Sequence, residues 1–283
     1  MQKRRSIFLG LVACCLVFSF VACKKAAKDA ATDITAANDN TMAESNYNDA
    51  TNMVDASYAL GANFSFRTET GANVARIEDV TGGCATVTVD TANATRKITI
   101  DFGATDCTCP DARKRRGKII ATWTGSYRTA GTVITISFDN YFVNNNQIMG
   151  THKTTNQGLN NAGNLVYKIE VSGSIVKAIG GTITWNSTRY REWTAGASTP
   201  LNPLDDAYSI TGTANGTTVL GTSYTINITQ PLIRKMSCAF IESGKIELTP
   251  TGGTTWTLDY GNTGCDANAS VSVLGLTYNI TLF

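Results

Sequence analysis

The chain has 283 residues, with 24 Lys+Arg against 22 Asp+Glu, a formal charge of +2, one His and eight Cys. Thr, Asn and Gly dominate its polar fraction and charged residues make up only 16%, which suits strands joined by tight turns and not helical bundles or coiled coils. A net charge this small leaves no field to hold the phosphates of a nucleic acid, so no nucleic-acid partner is expected.

The first 22 residues have the order of an export signal. Lys3, Arg4 and Arg5 form a positive n-region, and Ile7 to Ala22 is an apolar run shorter than the roughly 20 residues of a permanent span. Its end, Phe20-Val21-Ala22-Cys23, resembles the lipobox of bacterial lipoproteins, in which small residues precede a Cys that takes a thioether-linked diacylglycerol. Phe20 stands where that pattern prefers Leu. Leu11-Val12-Ala13-Cys14 matches the pattern more closely, but cleavage there would leave an apolar stub on the mature chain. Cys23 is therefore the expected lipidation site, and a membrane reached through that lipid is the expected partner. Removing residues 1–22 takes away three basic residues and no acidic ones, so 21 Lys+Arg face 22 Asp+Glu and the mature charge is about −1.

Residues 23–41 are small and polar, without sustained apolar periodicity, and read as a flexible tether. In 42–61, Met42, Tyr47, Ala50, Met53, Val54 and Tyr58 approximate a helical stripe that Gly61 stops, which predicts one amphipathic helix docked on a sheet. Residues 62–283 form a single β domain with weak internal repeats. Its segments alternate with period two, as in Lys97–Phe102, Thr132–Phe138, Tyr167–Val171 and Tyr224–Ile228. One face carries Val, Ile and aromatic residues, the other Thr, Ser or Lys. The pattern predicts an antiparallel meander, folded as a sandwich or a curled barrel-like sheet. One echo pairs Gly117–Arg128 with Gly181–Arg191, and another pairs Ile100–Cys107 with Leu258–Cys265; repeated hairpins in one sheet explain both.

An exported chain meets oxidising conditions, so Cys84, Cys107, Cys109, Cys238 and Cys265 are read as disulfide candidates. Cys84 and Cys107, like Cys238 and Cys265, stand at the open ends of predicted hairpins. Cys84 is expected to pair with Cys107 or Cys109, and Cys238 with Cys265. Cys107-Thr108-Cys109 lacks the spacing and partners of a zinc site, and no metal or cofactor is assigned.

No catalytic residue is assigned either. His152, the single histidine, is read as a solvent-facing strand residue. Asp101 and Asp259 hold equivalent places in the repeat, which favours a turn role; Asp205, Asp206, Glu192 and Glu242 leave an envelope hydrolase as one alternative. The basic run Arg113-Lys114-Arg115-Arg116 is read as a solvated loop. Trp185, Tyr190 and Trp193 cluster in sequence and form a candidate aromatic platform for sugar rings, so a carbohydrate-binding or adhesive module is the other alternative. The final strand, Val271 to Phe283, is expected to complete the sheet rather than a membrane barrel.

The mature chain resembles the outer-membrane lipoproteins common in Bacteroidota. The likeness rests on the lipobox, the Asn/Thr-rich all-β body, the N-terminal helix, and the elements Asp101–Cys107 and Arg113–Ile119. It implies an outer-membrane lipid anchor and no particular activity. Lys24, Lys25 and Ala26 stand where surface-exposed members carry an acidic export motif, which favours the periplasmic face. The expected role is non-enzymatic, structural or binding, with a glycan or an envelope protein as partner.

Overall fold

The computed structural model describes residues 35–54, 57, 81–90, 95–199, 203–238, 240–262 and 264–281. Its strands are β1 (Thr86–Asp90), β2 (Arg96–Asp101), β3 (Cys107–Thr108), β4 (Lys114–Trp123), β5 (Val133–Val143), β6 (Asn146–Leu159) and β7 (Leu165–Val176). They continue as β8 (Thr182–Ala195), β9 (Ala207–Thr217), β10 (Ser223–Lys235), β11 (Ser243–Pro250), β12 (Trp256–Asp259), β13 (Asn268–Val273) and β14 (Leu276–Thr281). All belong to one antiparallel sheet in the order 1-2-4-5-6-7-8-9-10-11-12-13-14, with β3 pairing β4 off the main path. The expected all-β meander is thus present as a single open sheet, its edges formed by β1 and β14. Turn chemistry fixes the register. Between β5 and β6, Asn144 and Asn145 take φ of 49° and 63°, the left-handed conformation that Asn tolerates and a two-residue hairpin turn requires.

Residues 35–54 form the helix α1. It starts seven residues inside the segment read as tether; Gly61, its expected stop, lies outside the described residues. Ala36, Ala43, Tyr47, Ala50, Met53 and Val54 are all buried at helical spacing. Ala36 extends the apolar stripe beyond Met42 toward the N-terminus, although its small side chain gives little hydrophobic signal. Polar residues complete the docking. Asp39 Oδ2 accepts the Val219 N–H at 2.9 Å, and Asn40 Oδ1 accepts Trp185 Nε1–H at 2.8 Å. The Tyr47 hydroxyl donates to the Met149 carbonyl at 2.8 Å. Asp49 meets Arg115 of β4 at 2.9 Å. The first turns of α1 therefore reach β8 and the β9–β10 turn, while later turns reach β6 and β4, so the helix runs across the strands.

The main core lies between α1 and the inner face of the sheet, and includes Ile98, Ile100, Ile119, Ile136, Ile148, Trp185 and Ile226. Burying each large apolar side chain contributes roughly 1.5–3 kcal/mol. Tyr47 stacks on Trp185 with centroids 5.6 Å apart and an 11° interplanar angle. Gly173 makes the room, because a Cβ there would stand 1.8 Å from the Tyr47 hydroxyl. A second, smaller cluster gathers Tyr167, Trp193 and Tyr208.

The basic run Arg113–Arg116 is not a solvated loop. Lys114 opens β4, and the Arg115 side chain is fully buried, held by Asp111 at 2.6 Å and Asp49 at 2.9 Å. Strand parity turns Arg115 inward, and two carboxylates balance a guanidinium that burial alone would strongly disfavour.

Candidate functional site

The aromatic platform expected from Trp185, Tyr190 and Trp193 does not form. All three stand on β8, where alternate residues face opposite sides of the sheet. Trp185 and Trp193 point inward and are buried, whereas Tyr190 points outward and is 42% exposed. Trp185 belongs to the bed of α1. Trp193 packs with Tyr208, and the Arg128 guanidinium lies 4.6 Å from its ring centroid. Only Tyr190 of the three meets solvent.

Around Tyr190 the outer face of the central strands is polar. Cross-strand register aligns Thr151, Ser172, Asn186 and Asn215 in one row over β6, β7, β8 and β9, and Lys153, Glu170, Thr188 and Thr213 in the next. A shallow groove of about 340 Å³ runs over these two rows. Lys168, which pairs across the strands with Tyr190, bonds Glu170 at 2.7 Å, and Lys153 approaches the same carboxylate at 3.9 Å. The Lys168 ammonium holds the Glu170 carboxyl below its ordinary value, so the groove keeps one fixed anion between two cations. Hydroxyls, amides and a bridged carboxylate supply both donors and acceptors at strand spacing; Tyr190, two residues along β8 from Thr188, is an exposed ring beside the groove and not part of its lining. The sequence carried this face as its alternate Thr, Ser and Lys positions, but nothing in one strand tells which strands become neighbours.

The carboxylates considered for catalysis each hold a structural partner. Asp101 Oδ1 accepts the Gly103 N–H at 2.9 Å and Asp101 Oδ2 pairs with Lys118 at 3.0 Å. Asp259 repeats the arrangement with Gly261 at 2.9 Å and Lys245 at 2.8 Å. These contacts lower both acids: the Gly103 bond leads for Asp101 and the Lys245 bond for Asp259. The second internal echo is therefore a repeated turn with a cross-strand ion pair. Glu192 accepts from Asn164 and Asn160 at 2.7 and 2.8 Å, Glu242 pairs with Lys235 at 2.8 Å, and Asp205 accepts from Thr199 at 2.6 Å. Asp206 is fully buried and accepts the Tyr208 hydroxyl at 2.8 Å. Among the described residues, no three His, Cys, Asp or Glu side chains converge as a metal site.

His152 is not solvent-facing. It shares the inner face of β6 with Ile148 and Thr154, is 4% exposed, and places Nε2 3.4 Å from Thr51 Oγ1 of α1. The cysteines pair as Cys84–Cys107 and Cys238–Cys265, with Cα atoms 5.7 and 5.5 Å apart, within the range a disulfide requires. Of the two candidates for Cys84, Cys107 is the partner, and Cys109 is a buried free thiol. Cys23 and Phe283 lie outside the described residues. No family model, curated protein or solved structure matches this chain.

Proposed function

We propose that this chain is an outer-membrane lipoprotein anchored through Cys23, and that its sheet is a non-catalytic binding domain that takes a glycan on the outer face of β6–β9. The observation that carries the ligand class is the groove beside Tyr190. Its hydroxyl and amide rows match the alternating donors and acceptors of a sugar, and the exposed ring suits the apolar face of a pyranose. The anchor rests on the charged n-region, the short apolar run and the Cys that ends it. The envelope hydrolase is disfavoured because the carboxylates it would use are engaged in turns, ion pairs and hydrogen bonds from side-chain amides and hydroxyls.

The test is a glycan array with residues 24–283, which retain every described position, beside Tyr190→Ala and Asn186→Ala. Binding should fall at least tenfold in Tyr190→Ala; a flat array, or binding indifferent to both variants, refutes the glycan reading. Palmitate labelling of cells producing the whole chain addresses the anchor. Label should vanish in Cys23→Ala, and retained label overturns Cys23 as the lipidated residue.

A further inference from the structure

The last strand closes the sheet's path without closing its hydrogen bonds. β13 and β14 are joined by Leu274 and Gly275, with φ of 53° and 78°, a two-residue turn whose flanking pair is Val273 and Leu276. In such a hairpin the flanking residues are the hydrogen-bonded pair, and pairing alternates from there. Leu276, Tyr278 and Ile280 therefore direct their backbone groups to β13. Thr277, Asn279 and Thr281 direct theirs away, to the outer edge, which no strand among the described residues pairs. On one face of this hairpin Ala269, Val271 and Val273 oppose Ile280, Tyr278 and Leu276. Of these, Leu276 is 58% exposed, Tyr278 53% and Ile280 37%.

Edge strands are ordinarily guarded by a charge, a proline or a bulge. β14 has none of these. Residues 267–283 contain no Asp, Glu, Lys, Arg or Pro, and the β13–β14 register runs without a shift.

We propose that β14 is the contact edge of a two-fold dimer, in which a second copy of this chain adds its own β14 antiparallel to the first. A two-fold axis at Asn279 sets Asn279 opposite its counterpart and Thr277 opposite Thr281. Each of these outward N–H and C=O groups then finds a partner. The same axis lays Tyr278 of one copy beside Ile280 of the other, so that these two exposed side chains pack across the junction. A second copy fits because the strand is neutral and its pattern, apolar at 276, 278 and 280 and polar between, reads the same from both directions; two identical charged edges would repel. The other edge, β1, spans five residues and ends on Asp90, so β14 against β1 would pair a neutral strand with a shorter, charged one.

This inference is independent of the groove on β6–β9. It is tested by sedimentation and light scattering of residues 24–283 over a range of concentrations. The expected species is a dimer whose dissociation constant rises at least tenfold in Asn279→Pro, which removes an outward N–H without touching the β13 ladder. Tyr278→Lys, which places like charges across the junction, should do the same. Circular dichroism unchanged in both variants assigns the loss to the edge. A monomer at all concentrations overturns the proposal, as do growth beyond the dimer, a dimer indifferent to Asn279→Pro, or a monomer that floats with phospholipid vesicles.

Discussion

His152 lies against Thr51 of α1 on one side, and burial together with the Arg191 guanidinium lowers its pKa to about 4. In the unfolded chain the imidazole titrates near 6.5. The folded state thus binds this proton less readily, and the stabilisation linked to neutral His152 is fully present above pH 6.5 and is lost as pH falls to about 4. Over that window the loss is on the order of 3 kcal/mol. The lowered carboxylates Asp101, Asp111, Asp259 and Glu170 act with the same sign but only as pH falls through the carboxylate range, around 4 and below. Urea denaturation from pH 7 to pH 4.5 should show a falling midpoint for the native chain and a flatter dependence for His152→Gln. Parallel slopes would show that His152 is not the group responsible. Strand parity was readable at this residue: Ile148, His152 and Thr154 share a phase. What one strand lacked was the sign of that phase, because Thr151 and Lys153 on one side and His152 and Thr154 on the other are all polar, so neither face of this stretch reads as the apolar one.

The helix is the element whose docking depends most on shape. α1 seats Tyr47 against the sheet because Gly173, the cross-strand partner of Trp185, carries no side chain. At Gly173 an added Cβ would also stand 2.6 Å from the Met149 carbonyl oxygen that accepts the Tyr47 hydroxyl. Gly173→Ala should therefore lift α1 and destabilise the fold by about 2 kcal/mol, within the range for overpacked sites. Lower urea midpoints and faster proteolysis within residues 35–54 would report it; an unchanged midpoint would mean that Tyr47 has room to move. The stripe of Tyr47, Ala50, Met53 and Val54 identified this helix from sequence. Its start did not emerge, because Asp39 and Asn40 look like tether residues until Val219 and Trp185 are brought to them.

For the whole molecule, the two disulfides stand near opposite ends of the meander. Cys84–Cys107 ties the β1–β3 end and Cys238–Cys265 the β11–β12 end, closing separations of 23 and 27 residues. In the chain-entropy model each contributes roughly 3 kcal/mol by restricting the unfolded state. Adding dithiothreitol should lower the urea midpoint, and the Cys84→Ser/Cys107→Ser pair should reproduce about half of that shift; a reduced protein as stable as the oxidised one would refute the estimate.

Period-two alternation, turn residues and the hairpin placement of cysteines are local properties. They were sufficient to identify an antiparallel meander, an N-terminal helix and both disulfide pairs, apart from the choice between Cys107 and Cys109. Neighbour relations are not local. Only the tertiary structure decided that Arg115 leaves the basic run for a buried ion pair with Asp49 and Asp111. It also decided that Trp185 and Trp193 turn away from Tyr190, and that Lys153, Glu170 and Asn186 meet on one face. The physical reason is common to all three: strand period tells which residues share a side, but only the order and register of the strands tell which side is covered and what stands across it.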